Sequence, residues 1–303
     1  MKARIRKDPG LLLFPRAVSA VPGGRCRRGY AGGMNAASGL AVAQFAPGAD
    51  AAANLSTIAA LATTAVERGA RLVVFPEYSS WFEADLGPRW LEAAQPLDGA
   101  FVQGLAALAE RLGIHVVAGL IEKTDDPQRV SNAVVAVSPA GETVATYRKL
   151  HLYDAFGGRE SDWVKPGRIE EPQTFVWGDL TVGLQTCYDL RFPEVTRRIV
   201  DAGADVVLVP SEWVRGPLKE HHWRTLITAR ALENTIYVAG ADHTPPVGVG
   251  TSMVVDPMGV ELVTIGEQSD VAVAWVTPDR IAATRVTNPS LAHRRFGISS
   301  PKQ

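Results

Sequence analysis

The sequence contains little cysteine: only Cys26 and Cys187 occur among its 303 residues. Two thiols cannot build a disulfide framework or a four-cysteine zinc site, so the sequence favours a reducing, cytoplasmic location. The six histidines show no His-x3-His spacing, and we expect neither a metal nor an organic cofactor. If one of the two thiols has a function, its chemical reactivity is the expected reason.

Net charge and long apolar runs are lacking as well. The formal net charge is -1, which provides no global attraction to nucleic acid or to an anionic membrane. No apolar run approaches the roughly 18 residues that a membrane span requires. Neither nucleic acid nor a membrane is therefore expected as a partner.

Residues 1–38 differ in composition from the rest of the chain. They contain eight Lys or Arg against one acid, Asp8, and so carry +7 within a chain of total charge -1. Pro and Gly interrupt them, and they lack an apolar core of the length a signal peptide needs. A basic nucleic-acid-binding arm and an organellar targeting segment are alternatives. The composition favours a disordered extension ahead of a second methionine, Met34.

The chain after this segment alternates strand and helix patterns, which gives it α/β character, and with its hairpins it predicts a layered α/β or α+β sandwich. Strands are predicted at 40–46, 71–75, 115–121, 134–137, 144–147, 174–177, 181–185, 206–209, 236–239, 254–256 and 261–264, and helices at 51–69, 101–112, 193–202 and 220–233. Hairpin turns such as Pro257-Met258-Gly259 add antiparallel pairs. No linker interrupts residues 39–285, so we expect one domain there, followed by an extended tail at 286–303.

Three short segments carry residues suited to chemistry. Glu77 follows a predicted strand directly, and Lys149 stands at the end of another. Cys187 lies on a strand-to-helix turn ahead of Pro193, where we expect an exposed thiol with a pKa lowered by the helix N-terminus. Each residue also has an alternative interpretation. Glu77 could be a solvated loop acid, Lys149 a solvated lysine at a strand end, and Cys187 a small buried apolar side chain.

Taken together, the three segments resemble the nitrilase-like carbon–nitrogen hydrolases, in particular their amidase branches. The resemblance is carried by Phe75-Pro76-Glu77, Tyr147-Arg148-Lys149-Leu150-His151-Leu152 and Cys187-Tyr188-Asp189-Leu190-Arg191-Phe192-Pro193-Glu194, in that order. Further matches are Ala43-Gln44-Phe45, Glu233-Asn234 and 251–259. The similarity covers about residues 39–285.

The resemblance implies a single-domain, four-layer α-β-β-α sandwich that assembles into a homodimer or a larger homo-oligomer. It also implies that Cys187 is the nucleophile, Glu77 the general base and Lys149 the electrophilic stabiliser. A second glutamate of the family falls on Glu160, after a loop at 155–159 that is shorter than in relatives. No cofactor is needed for this chemistry.

The residues after the cysteine bear on the substrate. True nitrilases of the superfamily carry Cys-Trp-Glu, whereas this chain has Cys187-Tyr188-Asp189, similar to amidases of the ω-amidase and deaminated-glutathione-amidase type. The resemblance implies hydrolysis of a small linear, carboxylate-bearing amide through a thioester, with the backbone N–H of Tyr188 as a second oxyanion donor.

Four residues are expected to contact the substrate: Tyr188, Glu212, Trp213 and Arg215. Trp213 is expected to form a wall of the acyl pocket, and Arg215 or Lys219 to bind a carboxylate. Glu212 suits an amine better than an anion. Open alternatives are an N-carbamoyl amino acid hydrolase, a nitrilase and a catalytically silent binding member.

Overall fold

Two β-sheets stack face to face at the centre of the protein, and helices cover the outer face of each. The structure is a computed structural model that describes residues 37–299. These residues belong to the second of two units into which the chain divides, Asn35–Gln303. The predicted basic segment, including Cys26, lies outside the described residues except for its last two positions.

The first sheet contains seven strands in the order β13-β1-β2-β3-β4-β5, with β6 beside β4. These strands are β1 (Ser38–Gln44), β2 (Ala70–Val74), β3 (His115–Glu122), β4 (Val130–Val137), β5 (Thr143–Arg148), β6 (Val164–Lys165) and β13 (Asp270–Val276). β1, β2 and β3 run parallel, whereas β4 is antiparallel to both β3 and β5. β2, β3 and β5 therefore point in the same direction.

The second sheet contains six strands in the order β12-β11-β10-β9-β8-β7. They are β7 (Thr174–Trp177), β8 (Leu180–Leu184), β9 (Val206–Pro210), β10 (Tyr237–Ala241), β11 (Met253–Val255) and β12 (Glu261–Thr264). β8, β9 and β10 are parallel, and antiparallel hairpins extend the sheet on both sides.

Residues 37–299 form six α-helices, of which the first and third cover the first sheet and the fourth and fifth cover the second. They are α1 (Ala51–Glu67), α2 (Pro88–Ala93), α3 (Ala100–Leu112), α4 (Pro193–Asp201), α5 (Lys219–Asn234) and α6 (Pro278–Thr287). Asp50 caps α1 by accepting hydrogen bonds from two backbone N–H groups, and Gly113 ends α3 in a left-handed conformation. None of the helices in residues 37–299 combines the length and the apolar character that crossing a bilayer requires.

Alternation of side chains along the strands builds the layers. In β1, Leu40 and Val42 join an apolar cluster with Val182 and Leu208 of the second sheet, so they fill the space between the sheets. Ala41 lies on the opposite face, in a cluster with side chains of α1 and α3. A third cluster joins the second sheet to α4 and α5. The predicted four-layer α-β-β-α sandwich is therefore confirmed.

Four elements of the fold were not predicted from the sequence: α2, α6, β6 and β13. α2 has six residues and β6 two, too few for a periodic pattern to stand out. β13 pairs with β1 at the edge of the first sheet, and its Trp275 is exposed. α6 begins at a Thr277 cap and continues to Thr287, so the start of the predicted extended tail at 286 is still helical.

Candidate functional site

Chemically active side chains collect where five strands end. Glu77, Lys149 and Cys187 follow β2, β5 and β8, while Glu212 and Asp242 follow β9 and β10. Within each sheet these strands run in one direction, so their carboxyl ends share an edge. Loops at such an edge carry ligand sites in open α/β sheets.

A buried cluster of charges joins Glu77, Lys149 and Glu160. The Lys149 ammonium donates to Glu77 Oε1 at 2.9 Å and to Glu160 Oε2 at 2.9 Å. Asn132 of β4 donates to Glu77 Oε1 at 2.5 Å and to Glu160 Oε1 at 3.1 Å. The three charged side chains are almost fully buried. The structure therefore brings together three of the four residues expected to be catalytic.

The charges of this cluster stabilise one another. Burial on its own would lower the pKa of Lys149, but the carboxylates of Glu160 and Glu77 outweigh it and hold that pKa well above its usual value. Burial would likewise raise the pKa of Glu160. The charge of Lys149 and hydrogen bonds from the Tyr78 hydroxyl and the Tyr153 N–H lower it instead. Lys149 is thus an ammonium and Glu160 a carboxylate at neutral pH.

Cys187 is buried rather than exposed, which corrects the expectation from the sequence. It opens a short 3-10 helix (Cys187–Arg191) with φ at +43°, an uncommon value for a side chain with a Cβ. Burial raises the pKa of the thiol well above its usual value, and the charge of Glu77 raises it further, against the opposing effect of Lys149. The expected lowering of the pKa is therefore wrong, because desolvation outweighs the helix end.

Asp189 ties the cysteine turn to the lysine segment. Its fully buried carboxylate accepts from the Tyr147 hydroxyl at 2.6 Å and from the backbone N–H of His151 at 3.0 Å. The His151 ring lies 2.8 Å from the same carboxylate and stacks on Phe192. Tyr147 and His151 flank Lys149, so Asp189 fixes the position of Cys187 relative to that lysine.

The backbone of Glu212 lies between Cys187 and Glu77. Its N–H donates to Glu77 Oε2 at 2.6 Å, and its carbonyl oxygen lies 3.5 Å from Cys187 Sγ as an acceptor for the thiol. Burial raises the pKa of the Glu212 carboxyl well above its usual value, and Glu77 and Asp242 contribute. The side chain itself remains partly exposed towards the cavity described next.

A cavity of about 430 Å³ opens above these groups, and we call it the site cavity. Lys149, Glu160, Cys187 and Glu212 line it together with a set of apolar and aromatic side chains. That set includes Tyr78, Phe82, Trp90, Tyr153, Phe156, Val214 and Val247. A volume of this size suits a small organic molecule.

Of the four residues expected to contact the substrate, Glu212 and Arg215 line the site cavity, and Tyr188 was expected to act through its backbone N–H. Trp213 is buried away from the site cavity, where it packs on Trp223 and donates its Nε1–H to the Lys219 carbonyl. The Tyr188 ring packs against neighbouring aromatic rings and does not line the cavity. Arg215 lines the cavity, but its guanidinium pairs with exposed Glu267 at 2.8 Å, so a substrate carboxylate would have to compete.

Sequence reasoning missed several residues of the site. Asn132 lies in a strand that is otherwise apolar apart from Ser131. A polar amide in a buried strand was the sequence signal that could have identified it as a site residue. Asp242 accepts from the backbone N–H of Trp213 at 2.6 Å and so positions the Glu212 segment. His243 donates from Nε2 to the carbonyl oxygen of Glu77 at 2.7 Å. These contacts join segments that are distant in the sequence, so no local sequence pattern predicts them.

His243 predicts a specific loss of stability in acid. Burial lowers its pKa from 6.5 to about 4. As the pH falls below 6.5 the unfolded chain binds this proton first, so wild-type stability should drop between pH 6.5 and 4, by up to about 3 kcal/mol. Denaturant unfolding at pH 7, 5.5 and 4.5 should show a flatter pH dependence for His243→Gln. Equal slopes in the two proteins would contradict this.

The arrangement contains the groups that covalent catalysis requires. Among residues 37–299 no group of three or more His, Cys, Asp or Glu is placed to hold a metal ion. The site instead offers a thiol, a carboxylate that can carry a proton, and an ammonium beside them. These are the parts required for attack on an electrophilic carbon and stabilisation of the resulting anion.

Comparison with known proteins agrees with this fold. The sequence model of the carbon–nitrogen hydrolase family matches residues 39–286. A curated deaminated glutathione amidase of Escherichia coli O157:H7 is 40% identical over 266 residues, which is 85% of this chain and 97% of that protein.

Solved structures are similar as well. Saccharomyces cerevisiae Nit3, a member of branch 10 of the nitrilase superfamily, has a TM-score of 0.77 at 26% identity, over 87% of this chain and 98% of that one. A mutant amidase of Nesterenkonia sp. AN1 has a TM-score of 0.72 at 28% identity, over 86% and 94% of the chains. That structure shows the acetamide moiety of fluoroacetamide added covalently at its active-site cysteine. The chain described here belongs to the carbon–nitrogen hydrolase family of the nitrilase superfamily and is a hydrolase acting on C–N bonds.

Proposed function

We propose that the protein hydrolyses a small carboxylate-bearing amide to a carboxylic acid and ammonia, with Cys187 as nucleophile. The observation that carries this proposal is the convergence of Cys187, Lys149 and Glu160 on one cavity, with Glu77 hydrogen-bonded to that lysine. The names of the similar proteins, deaminated glutathione amidase and amidase, support an amide as the substrate.

The protonation states of Lys149 and Cys187 support a first step in which Glu77 accepts the thiol proton. Lys149 is held as an ammonium by two carboxylates, so it cannot accept the thiol proton. Glu77 shares a backbone contact with the thiol: the N–H of Glu212 donates to Glu77, and the carbonyl oxygen of Glu212 accepts from Cys187. The thiol is neutral in the free enzyme, and its proton passes to Glu77 as sulfur attacks the amide carbon.

The following steps use the same groups. The oxygen of the tetrahedral intermediate gains negative charge, which the Lys149 ammonium and the backbone N–H of Tyr188 stabilise by about 3–4 kcal/mol per donor. Glu77 then gives its proton to the nitrogen, the C–N bond breaks and ammonia leaves. Water, deprotonated by Glu77, hydrolyses the thioester and restores the thiol. Glu160 keeps its charge throughout and orients Lys149.

Two cations near the cavity support a carboxylate on the substrate. Lys219 is buried, and its ammonium donates to the Tyr153 hydroxyl at 2.8 Å. The Arg191 guanidinium lies over the rings of Trp213 and Phe156. Neither cation forms an ion pair with an acid among the described residues, and Tyr153 and Phe156 both line the site cavity. A substrate carboxylate would supply the missing negative charge.

An ammonia-release screen tests the proposed function. We expect turnover of monoamides of short dicarboxylic acids, and weaker or no turnover of N-carbamoyl amino acids and nitriles. Deaminated glutathione belongs in the panel, with release of its acyl part measured separately because its leaving group is not ammonia. Cys187→Ala is the control for contaminating hydrolases. Turnover of nitriles alone would contradict the proposal. Turnover of carbamoyl compounds alone would favour the alternative of an N-carbamoyl amino acid hydrolase.

Gly119 provides a test of how closely Glu77 must be placed. A Cβ on this β3 residue would lie 2.4 Å from the backbone nitrogen of Tyr78 and 2.7 Å from the Cα of Glu77. Gly119→Ala should therefore displace the Glu77 loop and lower kcat by about a hundredfold. Gly87→Ala, where a Cβ meets nothing within 4 Å, is the matched control and should keep its kcat. A Gly119→Ala enzyme with unchanged kcat would show that the loop adapts.

A further inference from the structure

The carboxyl group of Glu212 forms no ion pair with a cation among residues 37–299, although the charge of Lys149 acts on it from a distance. It lines the site cavity and takes part in no side-chain hydrogen bond or ion pair with residues 37–299. Burial and the acidic neighbours Glu77 and Asp242 raise its pKa against an opposing effect of Lys149, so the neutral carboxyl is favoured in the free enzyme, and an ammonium group beside it would favour the carboxylate. Arg215, three positions along the chain, is engaged by Glu267. An acid without an ion-pair partner on a cavity wall is costly unless a ligand supplies the missing donors.

The position of this carboxyl is fixed by its own backbone. The N–H of Glu212 donates to Glu77, its carbonyl accepts from Cys187, and the next N–H, that of Trp213, donates to Asp242. The side chain therefore starts between the nucleophile and the base. A ligand group that contacts this carboxyl must lie within a few bonds of the carbon that Cys187 attacks.

Two cations and one acid thus lie at or beside the site cavity without an ion pair among residues 37–299. Glu212 lines the cavity, whereas Lys219 and Arg191 pack against its wall at Phe156. Lys219 is held on the Tyr153 hydroxyl and packs on Phe156 at 3.8 Å from the ring centre. It forms no ion pair with Glu212. Burial lowers the pKa of Lys219, although the charge of Glu212 acts in the opposite direction. A ligand with a carboxylate alone would compensate one side only. A zwitterion would compensate both.

We propose that Glu212 is a specificity-determining residue that binds an ammonium group on the acyl part of the substrate. The substrate class is then an α-amino acid whose side chain ends in a carboxamide. Its carboxylate faces Lys219 and Arg191, and its ammonium faces Glu212. This inference rests on the proposed function, and it separates the chain from relatives named for a deaminated substrate.

Binding to an inactive enzyme tests the inference directly. The probes are L-glutamine and the monoamide of glutaric acid, which differ only in the α-ammonium group. Titration calorimetry on Cys187→Ala should give a Kd for L-glutamine at least about tenfold lower than for the monoamide, because only L-glutamine can pair with Glu212. In the wild-type enzyme the ratio of kcat/KM for the two amides should favour L-glutamine in the same sense.

A second substitution assigns the preference to Glu212. In the Cys187→Ala background, Glu212→Gln should weaken binding of L-glutamine by about tenfold or more while leaving the monoamide within about twofold. The matched control is Glu220→Gln, which removes an exposed acid paired with Arg224 on α5 and should change neither Kd. Melting temperatures of the variants show whether each protein is folded.

The outcomes separate the inference from the function on which it rests. If the wild-type enzyme hydrolyses the monoamide but binds L-glutamine no better, the inference is overturned and the proposed amidase function stands. Equal losses for both ligands in Glu212→Gln also overturn it, as does absence of binding by both. If neither amide is hydrolysed but L-glutamine binds through Glu212, the inference survives as a binding assignment and the proposed function fails.

Discussion

Cys187→Ala should abolish amide hydrolysis, with kcat reduced by about 10⁴-fold or more, because no other group near the cavity can form the thioester. The fold should persist, since the change removes a single buried sulfur and the melting temperature should fall only slightly. Cys187→Ser should be nearly as inactive, because a hydroxyl is a far weaker nucleophile than a thiol when Glu77 is the only base. Ammonia release under saturating substrate is the measurement.

The matched control for this prediction is Cys26→Ala, which removes the other cysteine of the chain. It should retain wild-type turnover and remain sensitive to alkylation, whereas Cys187→Ala should show no further loss on alkylation. A Cys187→Ser enzyme that works at close to the wild-type rate would disprove the covalent mechanism.

Glu77→Gln and Glu160→Gln should both reduce kcat, with Glu77→Gln the more damaging. Glu160 accepts hydrogen bonds from Lys149, Tyr78 and Tyr153, and its charge helps to keep Lys149 an ammonium. Removal of that charge should cost about a hundredfold in kcat, the scale of one oriented oxyanion donor. Glu77→Gln removes the proton carrier as well, and a loss of about 10⁴-fold is expected.

The ranking of these two variants distinguishes their roles. Measurement of kcat and KM for both, with melting temperatures to confirm folding, decides whether Glu77 or Glu160 moves the proton. The opposite ranking would make Glu160 the general base. Full activity in Glu160→Gln would mean that this carboxylate only packs against Lys149.

The resting thiol bears on how the reaction begins. Burial and the charge of Glu77 keep Cys187 protonated in the free enzyme, with the thiol directed at the carbonyl oxygen of Glu212. A neutral thiol reacts more slowly than a thiolate with oxidants and alkylating agents. Proton transfer to Glu77 then occurs only when an amide carbon is present to accept the electron pair of sulfur.

Local patterns in the sequence determined much of the architecture. Short apolar strands such as 71–75 and 206–209 lie within a residue of their predicted bounds, because a buried strand must be apolar over its whole length. Pro193 begins α4 as predicted, since its fixed φ and missing N–H suit the first helical position. The resemblance carried by the segments at Glu77, Lys149 and Cys187 also fixed the family, because those segments are short and follow one another in order.

Only the tertiary structure decided the electrostatics and shape of the site. The burial that keeps Cys187 protonated depends on loops from five different strands, which no local pattern encodes. Trp213 and Arg215 are both suited to substrate binding by residue type, yet one fills the layer beside Trp223 and the other pairs with Glu267. Asn132 and His243 both contact Glu77, although they lie 55 and 166 residues from it in the sequence. Hydrogen bonds and desolvation act between neighbours in space, so residue type and order specify the chemistry available while packing selects which groups are used.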